Sequence, residues 1–170
     1  YLKHYSQLIF IHYLDVICLS KRNSAILKTF SVTKQITINA TPEQVFDALT
    51  TSDEIVKYYP LNKVISNWGI GDSVKYKGEV NGQDFTDYGV ITEFKRPATY
   101  SYRYWSDNHG TKKTPDNHLT INYTLSLVNG VTELNLVQGN IKSEEMFTVM
   151  NTVVWDMLLN DLKAYMESII

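Results

Sequence analysis

The C-terminal stretch Ser143–Ile170 reads SEEMFTVMNTVVWDMLLNDLKAYMESII. Ser143 supplies a capping hydroxyl, and Glu144 and Glu145 place negative charge at the positive end of a helix. Phe147, Met150, Val154, Leu158, Leu162 and Tyr165 then recur at helical spacing and form one apolar stripe. The stretch also carries Trp155 and all four methionines of the chain: Met146, Met150, Met157 and Met166. Methionine is unbranched and polarizable, so a wall built from it adapts to what it faces. One long helix of this kind after a run of strands predicts a helix laid across a curved sheet, with a cavity beneath it.

Upstream, the pattern changes from helical to alternating. Phe30–Asn39 places Val32, Ile36 and Ile38 on one face, which predicts a strand. Thr41-Pro42-Glu43-Gln44 opens a helix: Thr41 caps it, Pro42 takes its first position, and Gln44 completes a capping box. Val45, Phe46 and Leu49 form its apolar face. A second short helix is expected from a Ser52 cap to the stop at Pro60. A meander follows. Ser73–Val80 and Gln83–Phe94 flank Asn81-Gly82, and His118–Leu127 and Thr132–Asn140 flank Asn129-Gly130, both strong hairpin turns. Thr99–Trp105 lies between the two hairpins and alternates Tyr100, Tyr102 and Tyr104 against Ser101, Arg103 and Trp105. The fold class is therefore α+β: a curved antiparallel sheet gripping a long C-terminal helix, with two short helices after the first strand.

At 170 residues, 44% hydrophobic and 20% charged, the chain is one soluble globular domain. A net charge of -2 gives no reason to expect nucleic acid or an anionic membrane surface. The apolar run Leu8–Leu19, broken by His12 and Asp15, is too short to span a bilayer, and no membrane insertion is expected. The single Cys18 rules out an intramolecular disulfide and points to a cytoplasmic protein. Residues 1–26 do not read like the remainder. The chain begins with Tyr1 and has no methionine before Met146, so Leu27 is expected to stand near the native start. The domain is then 27–170, with 1–26 an extension outside it.

Twelve tyrosines are the one compositional bias, and their rings and hydroxyls suit the wall of a pocket. Tyr102, Tyr104 and Tyr123 are candidates to present hydroxyls into the cavity, with ordinary core packing as the plainer reading. Trp68, Met150, Val154 and Leu158 are candidates for its apolar wall. Gln138 shares a strand face with Leu134 and Leu136. It is expected either to anchor a ligand by hydrogen bonds or to reach solvent at a strand end. Asp87 and Glu93 share the parity of Phe85 and Ile91, so either could face inward as a general base, although an ion-paired or solvated acid at the sheet rim is the plainer expectation. His109 and His118, with Asp107 and Asp116, invite a metal reading, but Asp, Asn, Gly and Pro are what turns use, and no metal is expected. The sequence holds no nucleophile elbow, phosphate-cradling loop or dinucleotide fingerprint, so no cofactor is expected and no catalytic constellation is recognisable.

Four pieces together resemble a known family: Thr41-Pro42-Glu43-Gln44-Val45-Phe46-Asp47-Ala48-Leu49; Trp68-Gly69-Ile70-Gly71-Asp72; Gly89-x-Ile91-x-Glu93-Phe94-x-x-Pro97; and Trp155-x-x-x-Leu159-x-x-Leu162-Lys163. Each alone is only a capped helix, a turn or a packed face. In this order and spacing, over about 29–170, they resemble the START-like helix-grip (SRPBCC) superfamily, in the branch similar to the activator of heat-shock-protein-90 ATPase. The resemblance implies a hydrophobic cavity rather than a particular reaction. It leaves three readings: a small hydrophobic or amphipathic ligand bound between sheet and helix, a cyclase or hydrolase using the same cavity, or a chaperone-interaction domain with a filled interior. Val154 stands where the family commonly has Gly, which implies less room where helix meets sheet.

Overall fold

The computed structural model of the chain describes residues 29–80 and 82–169. The expectations for 1–26, for Cys18 and for Asn81 lie outside the described residues. Seven strands form one antiparallel sheet in the order β1-β7-β6-β5-β4-β3-β2. They are β1 Phe30–Ile38, β2 Lys63–Ile65, β3 Ser73–Val80, β4 Gln83–Lys95, β5 Thr99–Ser106, β6 Leu119–Val128 and β7 Val131–Ile141. The order follows from the turns. From β3 to β7 each strand pairs with the next in the chain, through tight turns except for the longer 107–118 segment between β5 and β6, and β1 closes against the last strand, with Ile36 opposite Leu134. Asn129 and Gly130 sit at φ 52° and 85°, the positive values that two-residue hairpin needs.

Helix α1, Pro42–Thr50, has the expected capping box, with Thr41 Oγ1 accepting from the Gln44 amide and Gln44 Oε1 accepting from Thr41 N–H. Helix α2, Ser52–Tyr58, is entered one residue earlier than expected. Thr51 is its cap without a side-chain bond, and Ser52 is its first helical residue. Both helices sit between β1 and β2 in the chain and close one end of the concave face, Val45 and Phe46 being fully buried.

The C-terminal helix is not one regular spiral. It runs as α3, Glu144–Val149, then a wide π turn, Met150–Val154, then α4, Trp155–Ser168. The wide turn spends an extra residue, so the inward face moves on by one position. Of the expected stripe Met150, Val154, Leu158 and Leu162 are buried and Phe147 is half-buried, while Met146, Trp155, Leu159 and Met166 are buried beside them. Tyr165, expected on the inner stripe, is only half-buried, and its hydroxyl bonds Glu54 on α2.

Two further departures from simple alternation shape the concave face. Strand β4 carries a bulge between Ile91 and Glu93, which flips the parity of everything after it. Ile91 faces the core and Phe94 packs edge-on against Phe46 and Tyr100, while Glu93 is turned away and pairs with Lys95 at 2.6 Å. Three residues, Lys63–Ile65, add the edge strand β2, which is too short to show an alternating pattern.

Candidate functional site

Between the helix and the concave face of the sheet lies a cavity. The atom-free space in and around it, open solvent at its mouth included, is about 680 Å³. Alternation on β3, β5 and β6 places Tyr76, Tyr100, Tyr102, Tyr104 and Tyr123 on this face, and the last residue of α2, Tyr58, and its C-cap Tyr59 join them at one side. The helix contributes Met150, Trp155, Leu158, Leu159 and Leu162 as the opposing wall.

The tyrosine rings form a continuous layer. Tyr100 stacks on Tyr102 at 5.2 Å and lies parallel to Tyr123 at 6.1 Å, and Tyr102 meets Tyr104 at 6.0 Å. The Tyr76 and Tyr100 hydroxyls are 3.1 Å apart. Burial raises the phenols of Tyr58, Tyr76, Tyr100, Tyr102 and Tyr123 above the ordinary tyrosine value, so they stay neutral. A neutral, hydroxyl-bearing aromatic wall offers stacking and hydrogen bonds but no charge.

A second hollow adjoins the first. It is lined by Phe85, Ser106, Asn108, His109 and Val154, and shares Tyr59, Asp87, Tyr104 and Met150 with the main cavity. Asp87 therefore stands where the two meet. It lies on the inward parity of β4, opposite Tyr76 on one side and Ser106 on the other. Ser106 gives its carboxyl one hydrogen bond, while Oδ1 is shut off from solvent without a partner. Burial pushes the carboxyl up to about 7; the Ser106 bond works against that rise and the neighbouring Asp107 charge adds to it. The residue edge reaches the surface, but the unpartnered oxygen does not. Two positions on, Gly89 keeps the face open, because a Cβ there would stand 2.5 Å from Val74 Cγ1.

His109 sits in the one-turn 3-10 helix Asp107–His109 that follows β5, 6% exposed and edge-on to the Tyr104 ring at 5.4 Å. Its Nδ1 accepts the Ser106 backbone N–H at 3.4 Å, which puts the ring proton on Nε2. Burial lowers it to about 4, so the ring is neutral at physiological pH. His118 Nδ1 is 2.7 Å from the Thr114 carbonyl oxygen, so the two histidines serve separate turns. Among the described residues no group of three or more His, Cys, Asp or Glu could hold a metal ion.

The structure brings most of the expected site residues together. Tyr102, Tyr104, Tyr123, Met150 and Leu158 line the main cavity, and Val154 lines the adjoining hollow. Met150 alone of the four methionines borders it; Met146 and Met166 are buried and Met157 half-buried elsewhere in the core. Trp68 lies behind the wall, edge-on to Tyr100 at 6.0 Å. Gln138 is fully buried, so it is not a strand end in solvent. Its Nε2 donates to the Tyr104 hydroxyl at 3.3 Å and its Oε1 accepts Trp155 Nε1–H at 2.6 Å. The ion-paired rim acid describes Glu93 and not Asp87. The expected parity was right for Asp87, and only its surroundings, drawn from β3, β5 and the helix, reveal how little it is paired.

The comparisons with known proteins agree with this architecture. Residues 39–167 match the family model described as activator of Hsp90 ATPase homolog 1-like protein. The chain belongs to that family, within the START-like helix-grip superfamily. It is similar to ChR145 of Cytophaga hutchinsonii in solution, at 27% identity and a TM-score of 0.70, over 85% of this chain and 97% of that one. The Aha1 dimer of Colwellia psychrerythraea is similar at 21% identity and a TM-score of 0.67, over 81% and 96%. CalU16 of Micromonospora echinospora follows at 18% and 0.61, over 80% and 75%. The last two likenesses are of fold alone. No curated protein matches the chain. No helix among the described residues is long and apolar enough to cross a membrane.

Proposed function

We propose that this chain binds a small hydrophobic or amphipathic molecule in the cavity between its sheet and its C-terminal helix. The observation that carries the reading is the lining of the cavity: tyrosine faces on the sheet opposed by Met150, Trp155 and Leu158 on the helix. Each 100 Å² or so of apolar ligand surface withdrawn from water there contributes about 2.5 kcal/mol before the costs of association. Tyr102, Tyr104 and Tyr123 present the polar contacts, and Gln138 holds Tyr104 in place.

Asp87 favours a second reading, in which the cavity is an enzyme site of the cyclase or hydrolase type. A buried carboxyl near 7 can take and return a proton at neutral pH. Native mass spectrometry of the chain purified from cells, before and after organic extraction, tests the binding reading. The expected result is a discrete extra mass released by solvent, together with saturable uptake of an apolar fluorescent dye by the extracted protein. An apo mass with no dye uptake would sink it.

A further inference from the structure

We infer that the cavity's ligand carries a protonated amine on an apolar or aromatic body, and that the Asp87 carboxylate receives the ammonium where the two hollows meet. This deepens the binding reading and rests on it. Three observations lead there. Among the described residues, Asp87 is the only formally charged side chain lining either hollow, and no Lys or Arg lines it. An anionic headgroup would therefore meet a like charge and no complement. Asp87 Oδ1 is buried without a partner, and a buried carboxylate oxygen in that state is the group a charged donor relieves most. Tyr59 and Tyr104 line both hollows with Asp87, Tyr76 stands opposite it on β3, and aromatic rings attract cations.

The other titratable groups around Asp87 do not compete. From β3 comes the neutral phenol of Tyr76, from the end of α2 the Tyr59 ring, from β5 the Tyr104 ring and the Ser106 hydroxyl, and from the turn beyond β5 the Asp107 carboxyl and the His109 ring. The helix contributes only Met150 and Val154. Asp107 adds negative potential and so favours a cation further. His109, held neutral, adds no positive charge. A neutral alcohol could reach the same oxygen, but it would not offset the cost of burying the charge.

Binding should then depend on pH. An ammonium pairs with the ionised carboxyl, so its affinity should rise on the order of tenfold per pH unit up to the Asp87 value of about 7, and level off above it. The test is calorimetric titration of the full chain, after organic extraction, with phenylbutylamine, phenylbutanol and phenylbutyrate, at pH 5 and pH 8. The expected order at pH 8 is amine, alcohol, then carboxylate, with the amine at least about tenfold tighter than the alcohol. Amine affinity should tighten by roughly 30-fold or more between pH 5 and pH 8, and Asp87→Asn should bring the amine-to-alcohol ratio close to one. Equal affinity for amine and alcohol overturns the inference and leaves the cavity reading standing. The same holds for a preference for phenylbutyrate, or for an Asp87→Asn protein that keeps the full amine preference. If none of the three binds and no apolar dye enters, both readings fall together. Should the variant not fold, the wild-type ratio and its pH dependence still decide.

Discussion

Gln138 and Asp87 are two polar side chains on the inner face of the same sheet, one on β7 and one on β4, and they are opposite in kind. Gln138 uses both ends of its amide: Oε1 holds Trp155 on the helix and Nε2 holds Tyr104 on the sheet. It joins the grip to the gripped, and a buried amide so engaged costs little. Asp87 has the bond from Ser106 and a second oxygen with nothing to accept from. A polar residue with its partners in place is part of the frame. One without them costs stability, and the cost is recovered only when something arrives.

The largest expected effect comes from breaking the first. Gln138→Leu leaves the buried Trp155 N–H without its acceptor and takes a donor from the Tyr104 hydroxyl. Urea unfolding should show a loss of about 3 kcal/mol. The second variant Trp155→Phe should cost much less in the Gln138→Leu background than alone, because the two share one bond. Full additivity would mean that the Gln138–Trp155 bond does not tie helix to sheet.

Asp87→Asn should act in the other direction. A carboxyl held at about 7 in the fold against about 3.9 unfolded favours the protonated protein. Its contribution is fully present below pH 4 and is lost as pH rises to 7, up to about 4 kcal/mol. The residue's partial exposure reduces this, so at pH 8 the asparagine protein should be the more stable by about 2 kcal/mol, with little difference at pH 4. A less stable variant at pH 8 would show that the carboxylate is paired after all. An amine ligand should narrow the gap by stabilising the aspartate protein more than the asparagine one.

His109 provides a smaller and opposed effect. Its folded value of about 4 lies below the unfolded value of about 6.5, so the stability it contributes is present above pH 6.5 and lost as pH falls through 4. Between pH 4 and 6.5 the two groups therefore pull against each other, each with a slope of at most about 1.4 kcal/mol per pH unit. Removing Asp87 should expose the acid-side loss due to His109, and His109→Asn should expose the alkaline-side loss due to Asp87. Comparing each variant with the parent cancels the groups they share. Parallel pH profiles for all three proteins would remove both buried groups from the account.

Much of this frame was legible in the residues. The Thr41–Gln44 capping box, the Asn129-Gly130 turn and the parity of Tyr100, Tyr102 and Tyr104 are local signals, written in a few neighbouring side chains. What local pattern did not carry was any insertion of a single residue. The wide turn at Met150–Val154 carried Trp155, Leu159 and Met166 inward, and no periodicity count shows a turn that spends five residues. The partner set of Asp87 comes from β3, β5, the turn after it and the helix, so it is a property of assembly. The parity of Gln138 is a local signal; its two partners, thirty-four and seventeen residues away, are not visible in the chain.

Glu93 is the control for the whole contrast, and its expected effect is the smallest. It lies on the same strand as Asp87 and, by simple counting, on the same face. The bulge after Ile91 turns it outward to Lys95, where its side chain is 33% exposed. An exposed pair of this kind gains little Coulomb energy in water and gives part of it back in side-chain freedom. Glu93→Gln should change stability by under about 0.5 kcal/mol, leave the amine-to-alcohol ratio untouched, and show the same pH profile as the parent. A large effect there would mean that the strand runs without its bulge, with Glu93 facing the cavity in place of Phe94. The ammonium-accepting carboxylate would then need to be sought at both positions. Two acids six residues apart on one strand would thus differ in consequence because a single extra residue lies between them.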